Sequence, residues 1–231
     1  MNRRVEPEWL DALPSDDPTA VWSRKDLLRI NTWMGNCKTV TRALRSTCHR
    51  PGPRRLLDLG AGDGTLLLSA ARRLSAHWQG TSAVLLDRRN IVSPETHHAF
   101  AALGWRTAVL EADALDWLQQ PAAPAWDTMI ANLFLHHFPA AQLAELLRAA
   151  ASLARTFIAV EPRRSARGLC FSRLLRLIGC NRVTRHDAPI SVRAGFTGQE
   201  LSQLWPTGTD WSLQERAAGW VSHLFIAQRR K

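Results

Sequence analysis

At 231 residues the chain is sized for a single domain, and a composition 45% apolar and 22% charged excludes collagen-like, disordered and low-complexity classes. A net charge of +10 invites a polyanionic partner, nucleic acid or an acidic membrane, and its position along the chain must decide. Ten tryptophans accompany no tyrosine, so any mechanism that needs a tyrosyl acid, base, nucleophile or radical is excluded.

In chain order, the first fifty residues read as helical. Residues 8–13 form a short turn ended by Pro14; Asp16-Asp17-Pro18 then opens a longer segment in which Leu27, Leu28, Ile30, Trp33, Met34, Val40 and Leu44 recur at steps of three and four. Pro51-Gly52-Pro53 breaks that pattern, so residues 1–53 are expected as an N-terminal helical lid and 54–231 as the body of one structural domain. Beyond the break the period changes. Strands are predicted at 54–59, 83–87, 106–111, 127–133 and 156–160, with helices at 65–74, 94–103 and 140–151 between them. Strands alternating with helices of that length imply βαβ units and right-handed crossovers. The fold class is therefore α/β, a Rossmann-like, doubly wound, mostly parallel sheet. A helix at 198–204 and strands at 212–215 and 220–227 bring the sheet to seven strands.

Between the fifth strand and that last helix the alternation stops. Residues 161–193 carry eight arginines against Glu161 and Asp187, which is more than half of the excess charge. A helical cap insertion is expected at about 163–195, beginning with a basic helix from Arg163 to Cys180 whose apolar face is Leu169, Cys170, Phe171, Leu174, Leu175, Leu177 and Ile178. Its arginines read as solvated rather than membrane-bound, and its apolar face as an entrance for a long-chain or aromatic substrate. Cys37, Cys48, Cys170 and Cys180 form no CxxC pair, which argues against a zinc site or disulfide framework. No apolar h-region follows Met1-Asn2-Arg3-Arg4 and no window is long enough to span a membrane, so a cytoplasmic protein without stable membrane insertion is expected.

The chemistry concentrates in the turn after the first strand. Asp58-Leu59-Gly60-Ala61-Gly62-Asp63-Gly64 lets backbone approach a ligand closely at the start of a helix. A dinucleotide fingerprint would place glycine three after Gly62, where this chain has Thr65. An acid followed by glycines at every second position suits a ligand bearing an ammonium and a carboxylate better than a pyrophosphate. These residues resemble the first motif of class I S-adenosylmethionine-dependent methyltransferases, and the resemblance runs over about 54–160. It implies that Asp58, Gly60, Ala61 and Gly62 hold the cofactor, S-adenosyl-L-methionine, with Asp58 near its amino group. It further implies ribose contacts from Asp87, beside Arg88, and adenine contacts from Asp113, beside Ala114. Asn132 and Leu133 would close the cofactor site at the end of the fourth strand. The following Phe134-Leu135-His136-His137-Phe138 looks like the corresponding segment of the family's small-molecule branch.

Methyl transfer to a hydroxyl requires a positioned acceptor and a proton acceptor, for which histidine is suited. His49, His77, His97, His98 and His223 have no supporting context. His136 and His137 fall where open α/β sheets bind ligands, serving either as base or as cap of the next helix, with one of the two facing the cleft. His186 is the other candidate base, although neighbours such as His186 and Asp187 point opposite ways in an extended segment. Residues 185–197 resemble a segment of bacterial methyltransferases encoded beside type III polyketide synthases. Residues 10–18 and Asn31-Thr32-Trp33-Met34-Gly35-Asn36 resemble the helical lid of that group. What the resemblance implies is O-methylation of a phenolic or quinol-like small aromatic acceptor, with His136, His137 or His186 as base and Arg193, Met34 and Trp33 toward the substrate. C-methylation of a similar acceptor is the alternative. Nucleic-acid methylation fits less well, because Asn132-Leu133-Phe134-Leu135 lacks the paired prolines common after that strand in base-methylating enzymes. The absence of clustered carboxylates there argues against a metal, and a cofactor-binding protein without catalysis is a third alternative.

Overall fold

A computed structural model describes residues 1–48, 52–120, 125–206, 208 and 210–230; His49 and Pro51, named above, lie outside them. The chain opens with α1 (Trp9–Ala12), α2 (Pro18–Met34) and α3 (Asn36–Thr47). It continues with β1 (Arg55–Leu59), α4 (Thr65–Leu74), β2 (Ser82–Asp87), α5 (Pro94–Ala102), β3 (Arg106–Glu111), α6 (Ala114–Leu118) and β4 (Trp126–Asn132). A 3-10 turn (Leu135–His137), α7 (Ala140–Leu153), β5 (Ala154–Pro162), α8 (Ala166–Leu174), a second 3-10 turn (Leu175–Ile178) and α9 (Arg182–Ala194) come next, then α10 (Glu200–Leu204), β6 (Trp211–Ala218) and β7 (Ser222–Arg229). The seven strands lie in the order β3-β2-β1-β4-β5-β7-β6. β1 to β5 pair in parallel, while β7 runs antiparallel to both β5 and β6. The strand order reverses between β1 and β4, and it is at such a switch point that open sheets of this kind bind ligands, beyond the carboxyl ends of the strands.

Alternation along each strand builds two cores, one on each side of the sheet. Leu57, Leu59, Met129, Phe157 and Phe225 point to the side covered by α7 and α10, while Leu56, Leu85, Ile130, Ile158 and Ile226 point to the side covered by α3, α4 and α5. Burial on both faces is what makes these central strands near-continuous apolar runs. Each fully buried leucine is worth about 2 kcal/mol in apolar area removed from water. The N-terminal helices divide between two jobs: Val40, Ala43 and Leu44 of α3 join the second core, while α2 packs on α9 and the α8 region. Gly35, at φ +71°, makes the left-handed corner that separates α2 from α3.

Within the stretch expected as a helical cap, 182–194 form α9, which Asn181 caps by accepting the Thr184 N–H at 2.8 Å and which accommodates Pro189 inside it. Two local readings change. The basic segment after Arg163 is shorter than expected, because α8 gives way to a 3-10 turn that ends at Gly179, φ +75°. Helix α6 is an addition, nucleated by Asp113, whose side chain accepts from Leu115 N and Asp116 N.

Candidate active site

The carboxyl ends of β1, β2 and β4 open into a cavity of about 690 Å³. Its floor is the glycine turn. Gly60, Gly62 and Gly64 all have positive φ, and Leu86 O accepts from Gly60 N at 2.9 Å and from Ala61 N at 3.0 Å. Each glycine has a different local reason. A Cβ on Gly60 would lie 2.3 Å from the Phe134 ring, whereas a Cβ on Gly62 would meet nothing within 4 Å. The first glycine makes room for a protein side chain; the second leaves backbone facing open space. Asp87 ties the turn to β2 by accepting Gly62 N at 2.9 Å.

Asp58 stands beneath this turn, 3% exposed. Burial, and secondarily the charge of Asp87, push its carboxyl well above the ordinary aspartate range. A buried acid under that stress is relieved by a cationic ligand group. On the far side Asp113 caps α6 and takes a forked contact from Arg88, Nε at 2.8 Å and Nη2 at 2.6 Å. That pair holds the β2 and β3 edges of the cavity together, and with Arg88 largely exposed it contributes little to stability.

The end of β4 is built around strain. Leu133, φ +52°, is the one non-glycine with positive φ among the described residues, and its N–H still bonds Val160 O at 2.9 Å. A bulky residue in that region costs on the order of 1 to 3 kcal/mol, which the surrounding packing must supply. The bend carries Phe134 onto Gly60 and aims the Leu135–His137 turn at the cavity. Just before it, Asn132 Nδ2 donates to Asn31 Oδ1 at 3.2 Å, while its buried Oδ1 has no partner. An orphaned acceptor in a cavity wall calls for a donor from a ligand.

Glu161, fully buried at the end of β5, organises the Leu135–His137 turn. Its carboxylate accepts Phe134 N at 3.0 Å, Leu135 N at 2.9 Å and His136 N at 3.3 Å, and also the His136 Nδ1 proton at 2.8 Å. On the other side of the ring, His136 Nε2 lies 3.5 Å from Glu8 Oε1. Burial by itself would lower the histidine, but hydrogen bonds and charge from Glu161 and Glu8 outweigh it and lift His136 to about 9. Glu8 is pulled below the usual carboxylate range despite its burial, by His136, His137 and Ser191. His137 pairs at the more exposed edge of the wall, Nδ1 to Asp11 Oδ2 at 3.3 Å. Glu8, His136 and His137 hold ligand-type atoms within 4.8 Å of one another.

Glu8 and Asp11 arrive on an N-terminal strap. Arg3 fastens its start, Nη2 donating to the carbonyls of His136 at 3.2 Å and Phe138 at 2.9 Å, and Nε to Ala194 O at 2.7 Å. Asp187 caps α1 by accepting Trp9 N at 2.9 Å and Leu10 N at 3.0 Å. His186 stacks flat on Trp9, ring centroids 3.6 Å apart, and its Nδ1 bonds Asp187 Oδ1 at 2.8 Å. The His186-Asp187 pair therefore clamps the strap to α9.

Every residue that the sequence assigned to the cofactor lines the cavity: Asp58, Gly60, Ala61, Gly62, Asp87, Arg88, Asp113, Ala114, Asn132 and Leu133. His136, His137 and Met34 line it as well. His186, Arg193 and Trp33 are not among its lining residues. The helical form of α9 turns His186 toward Trp9; Arg193 offers its carbonyl to Arg4 N at 3.2 Å, and Trp33 is 56% exposed. Sequence reasoning passed over Glu161 and Glu8. The signal for Glu161 was a lone acid ending a run of apolar strand residues, a place where charge is kept only if it has partners. Nothing local marks Glu8, whose role depends on where the strap lands. His223, set aside above, is a buried structural histidine donating Nε2 to Glu215 at 2.8 Å.

Seven strands with the last one antiparallel, and a glycine turn under the switch point, make this the fold of class I methyltransferases. Solved structures with that fold include an O-methyltransferase family protein from Burkholderia thailandensis, 19% identical at TM-score 0.56 over 92% of this chain and 60% of that one. Mitomycin 7-O-methyltransferase is 15% identical at TM-score 0.60, over 96% and 60% of the two chains. The small RNA methyltransferase HEN1 is 16% identical at TM-score 0.53, over 85% and 25%. This chain thus spans less than two thirds of each of them. No protein-family model and no curated protein matches the sequence. No helix among the described residues is long and apolar enough to cross a membrane.

Proposed function

We propose that the chain is an S-adenosylmethionine-dependent O-methyltransferase acting on a phenolic hydroxyl of a small aromatic, polyketide- or quinol-like acceptor. The observation that carries this is His136, held between two carboxylates just beyond the end of β4 and lining the same cavity as the glycine turn. The residues present fit the cofactor. Asp58 offers a stressed buried acid to an ammonium, Gly62 offers open backbone, Asp87 keeps carboxylate lone pairs beyond its backbone bonds, and Asn132 Oδ1 awaits a donor. When bound, S-adenosylmethionine supplies an electrophilic methyl group. The protein's own work is to exclude water, orient the acceptor oxygen and manage its proton.

His136 Nε2 is the atom that manages it. Nδ1 is committed to Glu161, which fixes the ring's orientation, so the second nitrogen faces Glu8 and the cavity. As imidazolium it binds an incoming phenolate; as neutral imidazole it accepts the phenol's proton, and Glu161 stabilises the charge that forms. His137, partly exposed and paired with Asp11, stands by as the second histidine of the wall. Solved structures of this fold include enzymes for both small molecules and small RNA. A cavity of about 690 Å³ with apolar walls from Leu27, Met34, Phe171 and Leu175 favours a small apolar molecule. No metal is required by this chemistry.

The test is product mass spectrometry with labelled cofactor and a panel of phenols, quinols and small RNAs. An O-methylated aromatic is expected, with His136→Ala lowering kcat by about 10² to 10⁴. Methylated RNA with inert phenols, or full activity in His136→Ala, would overturn the proposal.

A further inference from the structure

Of the large apolar side chains left in solvent, six gather on two neighbouring segments. Val21, Trp22, Leu28 and Trp33 belong to α2; Leu174 and Leu177 belong to the end of α8 and the 3-10 turn after it. Leu177 is 78% exposed and Trp22 60%. Trp22, Arg29 and Trp33 fall along one side of a helix, seven and then four residues apart. Phe171, Leu174 and Leu177, three apart, do the same on the second segment. The segments touch: Trp33 meets Phe171 edge-on with ring centroids 6.4 Å apart, and Ile30 packs with Leu175 beneath.

The exposed charge of these two segments has one sign. Lys25, Arg29, Arg167, Arg173 and Arg176 are all exposed on them, flanking the apolar stripe. Asp26, the one acid in the two segments, is buried; its carboxylate accepts from Asn181 N at 2.8 Å and Thr184 Oγ1 at 3.2 Å and pairs with Arg29 Nη1 at 3.5 Å, leaving Lys25, Arg167, Arg173 and Arg176 as the face's other cations. The cavity lies directly behind: Leu27, Leu28 and Met34 of α2 and Phe171 of α8 all line it, and Leu28 is exposed as well.

We infer that α2 and the α8 segment form a peripheral docking face for an anionic lipid surface. Tryptophan and leucine beside a cationic rim are what the headgroup boundary of such a membrane accepts: the rings and aliphatic tips enter the acyl edge while arginines meet lipid phosphates. Exposed apolar area of this kind gains nothing from water and is rare without a partner. The face lies over the wall of the cavity that Phe171 forms, so an acceptor dissolved in the bilayer would reach the cavity without crossing bulk water. Docking itself depends on neither cofactor nor acceptor, so it can stand or fall apart from the proposed reaction.

The experiment is co-sedimentation of the purified full chain with sucrose-loaded vesicles of phosphatidylcholine, with and without phosphatidylglycerol, at physiological salt. Binding to the phosphatidylglycerol vesicles is expected, with much less on phosphatidylcholine alone. The L174S/L177S variant, altered only at exposed positions, should lower the partition by about tenfold, and R173E/R176E by at least as much. Unchanged melting curves would show that both variants fold. Three results would overturn the inference: no preference for anionic vesicles; binding lost in R173E/R176E but intact in L174S/L177S, the signature of simple polyanion adsorption such as RNA would share; or a dimer in light scattering that L174S/L177S dissociates, which would give the face to a second copy.

Discussion

Changing Glu8 to Gln tests the proton chemistry of His136 directly. With a folded value of about 9 against the ordinary 6.5, only about one molecule in a hundred carries neutral His136 at pH 7. If neutral imidazole is the base, kcat/KM should rise about tenfold per pH unit from pH 7 and level off near pH 9. Glu8→Gln removes one of the two carboxylates and keeps the strap's shape, so the midpoint should fall by about 1 pH unit. A phenol that ionises in the same range would produce a similar limb in the native protein, but not one that moves with Glu8. Stability carries the same signature. A histidine raised on folding contributes stability that is fully present below pH 6.5 and is lost as pH climbs through about 9, roughly 3 kcal/mol in all. Urea unfolding at pH 6 and pH 9.5 should show that difference, and His136→Gln should abolish its His136 component. A limb that stays in place in Glu8→Gln, or a flat stability profile, would refute the assignment.

Asp58→Asn should weaken S-adenosylhomocysteine binding at neutral pH, and native affinity should increase as pH rises from 5 to 8, because ligand cation and ionised Asp58 favour each other; calorimetry that finds equal affinity in native and variant protein would remove Asp58 from the site. Gly60→Ala forces a side chain into φ +66° and against Phe134, so a loss of about 1 to 2 kcal/mol from the backbone alone, together with lost cofactor binding, should appear in thermal melts and titrations. Activity should survive dialysis against EDTA; loss on chelation with recovery on adding a divalent cation would reassign Glu8, His136 and His137 to a metal.

What was legible in the sequence was the part written in local pattern. The period change after the break at Pro51-Gly52-Pro53, and strands each followed by helices, predicted the sheet. The glycines at every second position predicted a turn against a ligand, and the acids at the strand ends fell at the cavity because strands in a parallel sheet all finish on one edge. The rest depends on contacts over long chain separation. Glu8 reaches His136 across 128 residues, and no periodicity encodes where a strap docks. The same is true of Asp187, which caps a helix far earlier in the chain. His186 was placed toward the substrate by the resemblance of its segment, whereas its ring is taken up by the stack on Trp9, a contact over long chain separation that no local pattern encodes.

Leu133 has a consequence for how this protein would behave under selection. Its left-handed backbone is a conformation glycine adopts freely, so Leu133→Gly relieves strain at that peptide while loosening the bend that aims Phe134 onto Gly60 and His136 into the cavity. A library sorted for thermal stability should tolerate or enrich that replacement, and the same library sorted for methyl transfer should discard it. Position 133 is thus a place where robustness and catalysis pull in opposite directions, and a stabilised version of this protein should be sought elsewhere in the sheet.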